Sequence, residues 1–288
     1  MPILYGLVMS LVSCCGICIL AYGPAASGNA QYRPVNKEVI LTRLRDAPRK
    51  DVDREVELGK MFREAGCQPT EQPVKSLRQP NIICILPGTS DSVILVGAHF
   101  DHADEGDGII DDWSGVSLLP SFYESLAGTS RSHTLVFVGF AGEERGMVGS
   151  ESYVKQLTPE QRKQIVAMVN LECLGVTSTK VWATHSEPFL MNILLAVAHS
   201  LQLPLSGVNV ERVGTTDSES FAHYKIPRIT IHSITQETWP LLHTSRDNIK
   251  AIHTDFYYDS YRLIAAYLAV LDSELGTSSP EEPKPQTK

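Results

Sequence analysis

Histidine and carboxylate residues recur in five short clusters along the chain, and their types are those of metal ligands. In chain order the clusters are His99-Phe100-Asp101, Asp111-Asp112, Glu143-Glu144, Asn170-Leu171-Glu172 and His243-Thr244-Ser245-Arg246-Asp247. Zinc and other catalytic metals take imidazole nitrogens and carboxylate oxygens from proteins. Chemistry that needs several such groups in one place is usually metal-assisted. The clusters therefore predict a metal-dependent enzyme, provided that the fold brings them together.

Strands and helices are predicted to alternate between the clusters. Short apolar runs predict strands at Ile82–Leu86, Ser92–Gly97, Thr134–Phe140, Ile165–Leu171, Lys180–Ala183 and Arg228–His232. Helices are predicted at Val52–Ala65, Ser114–Leu126, Ser150–Gln156, Pro188–Leu201 and Asp255–Leu275. This alternation indicates the α/β class. We predict a single domain with a mixed, mostly parallel central sheet flanked by helices.

The clusters lie where such a sheet would collect them. His99, Glu143-Glu144 and Glu172 each lie at or just after the end of an apolar run, and Asp111-Asp112 precede a predicted helix. In open α/β sheets, sites form outside the carboxyl ends of the strands. We therefore expect these groups to face a common crevice.

The side chains in these clusters are sufficient for two metal ions. Two ions at one site are normally joined by a shared carboxylate, and Asp111 is a natural bridge. The remaining ligands could then come from His99 with Glu172 for one ion, and from Glu144 with His243 for the other.

Two residues beside these ligands are predicted to have other catalytic roles. Glu143 neighbours a ligand without being one, so it is free to act as a general base that passes a proton from water to the leaving amine. Asp101, two residues after His99, can accept a hydrogen bond from the second nitrogen of that imidazole and orient the ring.

The clusters and their neighbours resemble the motifs of zinc aminopeptidases of peptidase family M28. The resemblance covers roughly residues 40–272 and rests on 96–101, 111–115, 140–144 with 146–150, 169–172 and 243–247. It implies a zinc exopeptidase-like fold and two Zn²⁺ ions per chain. The metal ligands that it implies are His99, Asp111, Glu144, Glu172 and His243, with Asp111 bridging.

The resemblance implies further features of the site. Glu143 would be the base, the Asp111–Asp112 peptide bond would be cis, and the segment 214–218 would help to line the substrate pocket. Three positions depart from the usual pattern of relatives. Glu172 stands where they usually have Asp, Leu242 where some have Tyr, and Asp217-Ser218 where Asp-His is common.

Three functions are compatible with these motifs. The favoured one is a dinuclear zinc aminopeptidase acting on peptides with a free N-terminus. A glutaminyl cyclase-like enzyme would use one zinc ion on the same scaffold. A non-catalytic binding scaffold is the third, and the full ligand set argues against it because such proteins tend to lose ligands.

The composition limits the classes of partner that are expected for the protein. The 288 residues carry a net charge of −8 and a pI near 5.6. A nucleic-acid-binding protein normally has a basic surface, so no nucleic-acid partner is expected. The sequence leaves the oligomeric state open.

The N-terminal segment predicts a location outside the cytoplasm. The first 32 residues contain no Asp, Glu, Lys or Arg, and Ile3–Tyr22 is almost wholly apolar. Residues 1–30 are interpreted as an export signal or, alternatively, as an N-terminal membrane anchor. The peptidase domain is predicted at residues 31–275 and a disordered tail at 276–288. The protein would be secreted, periplasmic or membrane-anchored.

Three cysteines lie beyond this segment: Cys67, Cys84 and Cys173. A Cys67–Cys84 disulfide is possible in an oxidising compartment. Buried free thiols are nevertheless favoured from the sequence, because the number is odd and no CxxC spacing occurs.

Overall fold

The computed structural model describes residues 31–210 and 214–276, which fold around a central sheet. Its strands are β1 (Thr70–Gln72), β2 (Asn81–Leu86), β3 (Val93–His99), β4 (Thr134–Phe140), β5 (Ile165–Glu172), β6 (Lys180–Val181), β7 (Ser206–Gly207) and β8 (Arg228–His232). Their order across the sheet is β1-β2-β4-β3-β5-β8-β6-β7. The central strands β4, β3, β5 and β8 are parallel, whereas β2 and β6 pair antiparallel with β4 and β8. The predicted α/β fold with a mixed, mostly parallel sheet is confirmed.

Helices cover both faces of this sheet. They are α1 (Lys37–Arg45), α2 (Asp51–Glu64), α3 (Ser114–Val116), α4 (Leu119–Ala127), α5 (Val148–Gln156), α6 (Pro159–Gln164), α7 (Pro188–Ser200), α8 (Ser218–Ala222) and α9 (Thr254–Glu274). An irregular helical turn, Ile109–Trp113, precedes α3. Further short helical turns span Ala183–His185, Trp239–Leu241 and Ile249–Ala251.

The sheet has an apolar core on each side. Along β3, Ile94 and Val96 belong to the larger cluster, which also contains residues of α1, α2, α4, α7 and α9. Leu95 belongs to the smaller cluster, with Tyr153 of α5 and Phe221 of α8. Because alternate side chains are buried on opposite faces, the strands read as nearly continuous apolar runs. This is the pattern that made them recognisable in the sequence.

Helix α9 supports the segment that follows the Asp111-Asp112 cluster. The buried Tyr257 hydroxyl donates to the carbonyl oxygen of Ser114 at 3.0 Å. The Ser114 hydroxyl donates to the Ile110 carbonyl at 2.8 Å and accepts from the Leu174 amide at 2.7 Å. A buried hydroxyl needs such partners to offset its lost hydration. These bonds tie α3, α9 and the loop after β5 together beneath the clusters.

Several predicted elements have the observed bounds, and others do not. The strands Thr134–Phe140 and Arg228–His232 are confirmed to the residue. The continuous helix predicted at Ser114–Leu126 is wrong, because the chain forms α3 and α4 separately after the irregular turn. The strand predicted at Lys180–Ala183 ends at Val181, and a helical turn begins two residues later at Ala183. The elements that were not predicted are α1, α6, α8, β1 and β7.

The preference for free thiols at Cys67 and Cys84 is also wrong. These residues form a disulfide, with Cα atoms 6.3 Å apart. Cys67 follows α2 and Cys84 lies in β2, so the packing of that helix on the sheet brings the two sulfurs together. Cys173 is a buried free thiol, as expected.

The predicted segments at the two ends are only partly within the described chain. The signal or anchor at 1–30 and residues 277–288 of the tail lie outside it. Within the described ranges, no helix is long and apolar enough to cross a bilayer. The domain limits at 31 and 275 remain a prediction.

Loss of the disulfide is expected to destabilise the protein. Its cysteines are 17 residues apart, and closing a loop of about 15 residues stabilises a fold by roughly 3 kcal/mol. Cys67→Ser with Cys84→Ser should lower the free energy of urea unfolding by about that amount. Reductant should lower the stability of the unmodified protein and leave the double variant unchanged. Equal stability of the oxidised and reduced protein would contradict the prediction.

Candidate metal centre

The five predicted metal ligands lie together at the carboxyl ends of the central strands. His99 is the last residue of β3, Glu172 is the last residue of β5, and Glu144 lies in the turn after β4. Asp111 lies in the irregular turn before α3, and His243 follows a short helical turn ahead of α9. Because these strands are parallel, their carboxyl ends meet at one edge of the sheet, where such folds form sites.

The first group of ligand atoms forms around the His99 ring. Its Nε2 lies 3.0 Å from Asp111 Oδ1 and 3.6 Å from Glu172 Oε1. Its Nδ1 donates to the backbone carbonyl of Asp101 at 3.0 Å. Since a carbonyl oxygen only accepts, the neutral ring carries its proton on Nδ1 and presents the lone pair of Nε2 to the carboxylates. Electron pairs face one another here, so a proton or a cation must lie between them.

The second group forms around His243. Its Nε2 lies 3.2 Å from Asp111 Oδ2 and 3.1 Å from Glu144 Oε1. That Glu144 oxygen is buried and makes no well-aligned hydrogen bond within the described chain. Each group's ligand atoms lie within 4.8 Å of one another. Asp111 therefore belongs to both groups and directs one carboxylate oxygen into each.

The turn that carries Asp111 is held in an unusual backbone conformation. The Asp111–Asp112 peptide bond is cis, as the resemblance implied. The Asp247 carboxylate accepts the amides of Ile110, at 2.6 Å, and of Asp111, at 3.3 Å. Asp112 turns away from the two groups, and its Oδ1 accepts the amides of Gly115 and Cys173 at 3.1 and 2.9 Å. These bonds direct the neighbouring Asp side chains to opposite sides.

Asp101 contacts both the His99 ring and the turn after β4. Its backbone carbonyl accepts a hydrogen bond from His99 Nδ1 at 3.0 Å, and its carboxylate lies 3.6 Å from the same nitrogen. The carboxylate accepts the backbone amides of Glu143, at 3.0 Å, and Glu144, at 3.2 Å. Asp101 thus fixes the turn that carries the two glutamates.

Glu172, which departs from the usual Asp, has a defined position. Its Oε2 accepts a hydrogen bond from Thr216 Oγ1 at 2.7 Å, and Asn170 Nδ2 donates to the same Thr216 oxygen at 2.6 Å. The other oxygen, Oε1, is the one that faces His99. The longer side chain is therefore restrained by a residue of the 214–218 segment.

The site holds more buried acid than its imidazoles can balance. Burial raises the pKa of Glu143 well above its usual range, and the neighbouring Asp217 and Glu172 raise it further. Burial likewise raises the pKa of Asp112, with Glu172 adding to the effect. The pKa of the buried Asp217 is raised to about 7. Such shifts mean that ionised carboxylates are costly here without a compensating cation.

A cavity of about 170 Å³ opens beside the two groups. Asp111, Glu143, Glu144, Glu172 and His243 lie on its wall. The remaining wall is largely apolar and aromatic, and it is formed by Cys173, Trp182, Val210, Gly214, Thr215, His232, Ile234, Trp239 and Leu242.

Sequence reasoning missed three contributors to this site. Asp247 was noted as part of a motif, but its bonds to the irregular turn were not foreseen. Thr216 lay in the segment expected to line the pocket, without the bond to Glu172. Trp182 carried no signal in the sequence, because an aromatic residue after a short strand is usually core packing.

Comparison with known proteins identifies the family. The model of peptidase family M28 matches residues 81–268. The chain belongs to peptidase family M28. A probable leucine aminopeptidase of Arthroderma benhamiae is 34% identical over 125 residues, and the match covers 39% of this chain and 35% of that protein. The chain matches between 16% and 36% of the length of its curated relatives.

Solved structures share the fold at low sequence identity. The Legionella pneumophila aminopeptidase LapA superposes with a TM-score of 0.74 at 22% identity, over 83% of this chain and 71% of LapA. A glutaminyl cyclase of Porphyromonas gingivalis superposes with a TM-score of 0.64 at 18% identity, over 81% of this chain and 96% of the cyclase. The fold is therefore shared by an aminopeptidase and by a glutaminyl cyclase.

Metal binding is expected to release protons at neutral pH. The nearby carboxylates of Asp111 and Glu144 raise the pKa of His243 to about 10, so we expect this ring to be protonated at pH 7 before a metal ion binds. A metal ion binds only the neutral imidazole, so the apparent affinity should fall as the pH is lowered. Calorimetric titration with Zn²⁺ in buffers of different ionisation enthalpy measures the released protons. A buffer-independent enthalpy at pH 7 would contradict this.

Proposed function

We propose that this chain is a zinc-dependent aminopeptidase that binds two ions and removes N-terminal residues from peptides. The observation that carries the proposal is the Asp111 carboxylate, which directs one oxygen towards each imidazole. Each ion would have three ligands: His99, Asp111 and Glu172 for one, and Asp111, Glu144 and His243 for the other.

The donor set fits zinc. Each group offers one imidazole nitrogen and two carboxylates, and no cysteine sulfur is among them. Catalytic zinc sites use three protein ligands of this kind and leave a position for water or substrate. The buried Glu144 oxygen without a well-aligned hydrogen bond, and the facing electron pairs at His99, are what a cation between these atoms would satisfy. Bound zinc would polarise the scissile carbonyl and lower the pKa of a water.

Glu143 is the proposed general base. Its backbone amide is fixed by the Asp101 carboxylate, and the residue borders the cavity. Burial raises the pKa of Glu143 well above its usual range, which favours uptake of a proton by this carboxylate. In this role Glu143 takes a proton from the attacking water and passes it to the leaving amine.

The cavity is suited to an apolar N-terminal residue. The free amine of a peptide would lie beside the metal groups, while Trp182, Ile234 and other apolar wall residues would surround the side chain of its first residue. The name of the Arthroderma relative, a probable leucine aminopeptidase, agrees with this preference.

The proposed location is outside the cytoplasm. The Cys67–Cys84 disulfide supports it, because such bonds persist in oxidising compartments and are rare in the cytosol. Secretion, or anchoring through residues 1–30, remains part of the same proposal.

The adjacent residues Glu143 and Glu144 allow a matched test of the proposed base and the proposed metal ligand. Glu143→Gln should retain zinc and lower kcat for leucine arylamide by about 10²- to 10⁴-fold, since the base is lost. Glu144→Gln should instead weaken zinc binding, because it alters a ligand. Zinc content and kcat of both variants are measured side by side. Full activity of Glu143→Gln would refute its role as the base.

A substrate panel separates the aminopeptidase from the cyclase. We expect two zinc ions per chain and hydrolysis of leucine arylamide at least about tenfold faster than aspartate arylamide, because an unpaired carboxylate is costly in an apolar pocket. Zinc content and the kcat/KM of each arylamide are measured, together with cyclisation of N-terminal glutamine peptides. One zinc ion with cyclisation would favour the cyclase function, and absence of both metal and catalysis would favour a binding scaffold.

A further inference from the structure

A fully buried arginine contacts the loop that joins two of the predicted metal ligands, and it lies outside the residues that the family model matches. Arg54 belongs to α2, whereas the matched range begins only at residue 81. The described chain offers its guanidinium no carboxylate within 4.0 Å; instead, the group donates four hydrogen bonds to backbone carbonyls. It also lies 5.4 Å from the centre of the Trp113 ring. A buried charge is costly unless its donors are used, so this arrangement requires an explanation.

Three of these bonds fix the loop that joins two predicted ligands. Arg54 Nη1 donates to the carbonyl of Phe100, which directly follows His99, at 3.1 Å. Its Nη2 donates to the carbonyls of Asp107 and Gly108, which precede the Asp111 turn, at 2.5 and 3.0 Å. One guanidinium therefore holds both ends of the loop between the ligands.

The loop is shaped for this close approach. Gly108 has a φ of +55°, and a Cβ there would lie 2.3 Å from the His102 Cβ and 3.1 Å from Arg54 Nη1. Glycine adopts this conformation without steric cost and leaves room for the guanidinium.

The same turn is held from its other side by Asp247. The Asp247 carboxylate accepts the amides of Ile110 and Asp111, and its carbonyl accepts the amide of Asp107 at 2.8 Å. Arg54 thus binds carbonyls of the segment while Asp247 binds its amides. Together they fix where the Asp111 carboxylate lies relative to the His99 ring.

We propose that Arg54 is a positioning residue for the metal pair, and that zinc affinity depends on the loop geometry that its guanidinium imposes. The inference rests on the proposed metal function. The planar guanidinium of arginine is needed here, because the single compact ammonium group of a lysine cannot donate to the carbonyls at both ends of the loop at once. Residues that orient metal ligands typically contribute about 10- to 100-fold to metal affinity.

The charge of Arg54 alone would act in the opposite direction. A cation near the site repels Zn²⁺, so removing only the charge should tighten zinc binding. Geometry and charge therefore predict changes of opposite sign when arginine is replaced by a neutral residue.

The test compares Arg54→Lys, which keeps the charge and loses the fork, with Arg54→Met, which loses both. Met61→Ala is the control, because Met61 is buried in the same helix nearly two turns further on and makes a cavity without touching the loop bonds. Zinc dissociation constants are measured by chelator competition on the full chain, and thermal unfolding is measured in parallel.

We expect both Arg54 variants to bind zinc about 10- to 100-fold more weakly, and Met61→Ala to lose thermal stability while keeping its zinc affinity. Unchanged affinity in Arg54→Lys, or tighter binding in Arg54→Met, would overturn the inference. Weakening of the Met61→Ala affinity to the same extent would also overturn it, since general destabilisation would then explain the effect. If Arg54→Met does not fold, Arg54→Lys decides alone. Absence of zinc binding in the unmodified protein would instead refute the proposed function.

Discussion

The contact on which the site depends is the Asp111 carboxylate between two imidazoles. One of its oxygens lies 3.0 Å from His99 and the other 3.2 Å from His243. Burial opposes the ionisation of this carboxylate, His243 and His99 nevertheless hold its pKa below its usual range, and further acids lie beside it. The surrounding backbone must hold it there, and the fold can be understood as the means of doing so.

Backbone dipoles provide much of this restraint. Asp101, Asp112 and Asp247 each accept two backbone amides from the turns that carry the ligands. Each of these carboxylates fixes the backbone that donates to it. The irregular turn at Ile109–Trp113 persists because its polar groups are bonded in this way. The parallel strands supply the starting points, and the paired amides set the final directions of the side chains.

The sequence predicted the parts of this arrangement that depend on local pattern. His99 and Glu172 could be found because each lies at or just after the end of an apolar run. Strands that are buried on both faces form such nearly continuous apolar runs. The spacing of Asp101 from His99 does not reveal that its backbone carbonyl, in addition to the nearby carboxylate, meets the imidazole. The Cys67–Cys84 disulfide was not favoured because the approach of the sulfurs depends on how α2 packs on β2. Arg54 was missed for the same reason, since three of its four partners are backbone carbonyls that lie far away in the sequence, which no side-chain motif records.

The concentration of buried acid also has a thermodynamic consequence for the fold. Raised pKa values at Glu143, Asp112 and Asp217 show that the metal-free site disfavours its own ionised groups. A cation that binds only the folded chain would relieve this cost, and its binding free energy would add to stability. Until a cation binds, the apolar packing on both faces of the sheet must therefore outweigh the cost of the buried acidic groups at its edge. Placing the ligands at the ends of well-packed strands achieves this, because most of the apolar core lies on the faces of the sheet and not at the edge that carries the charge.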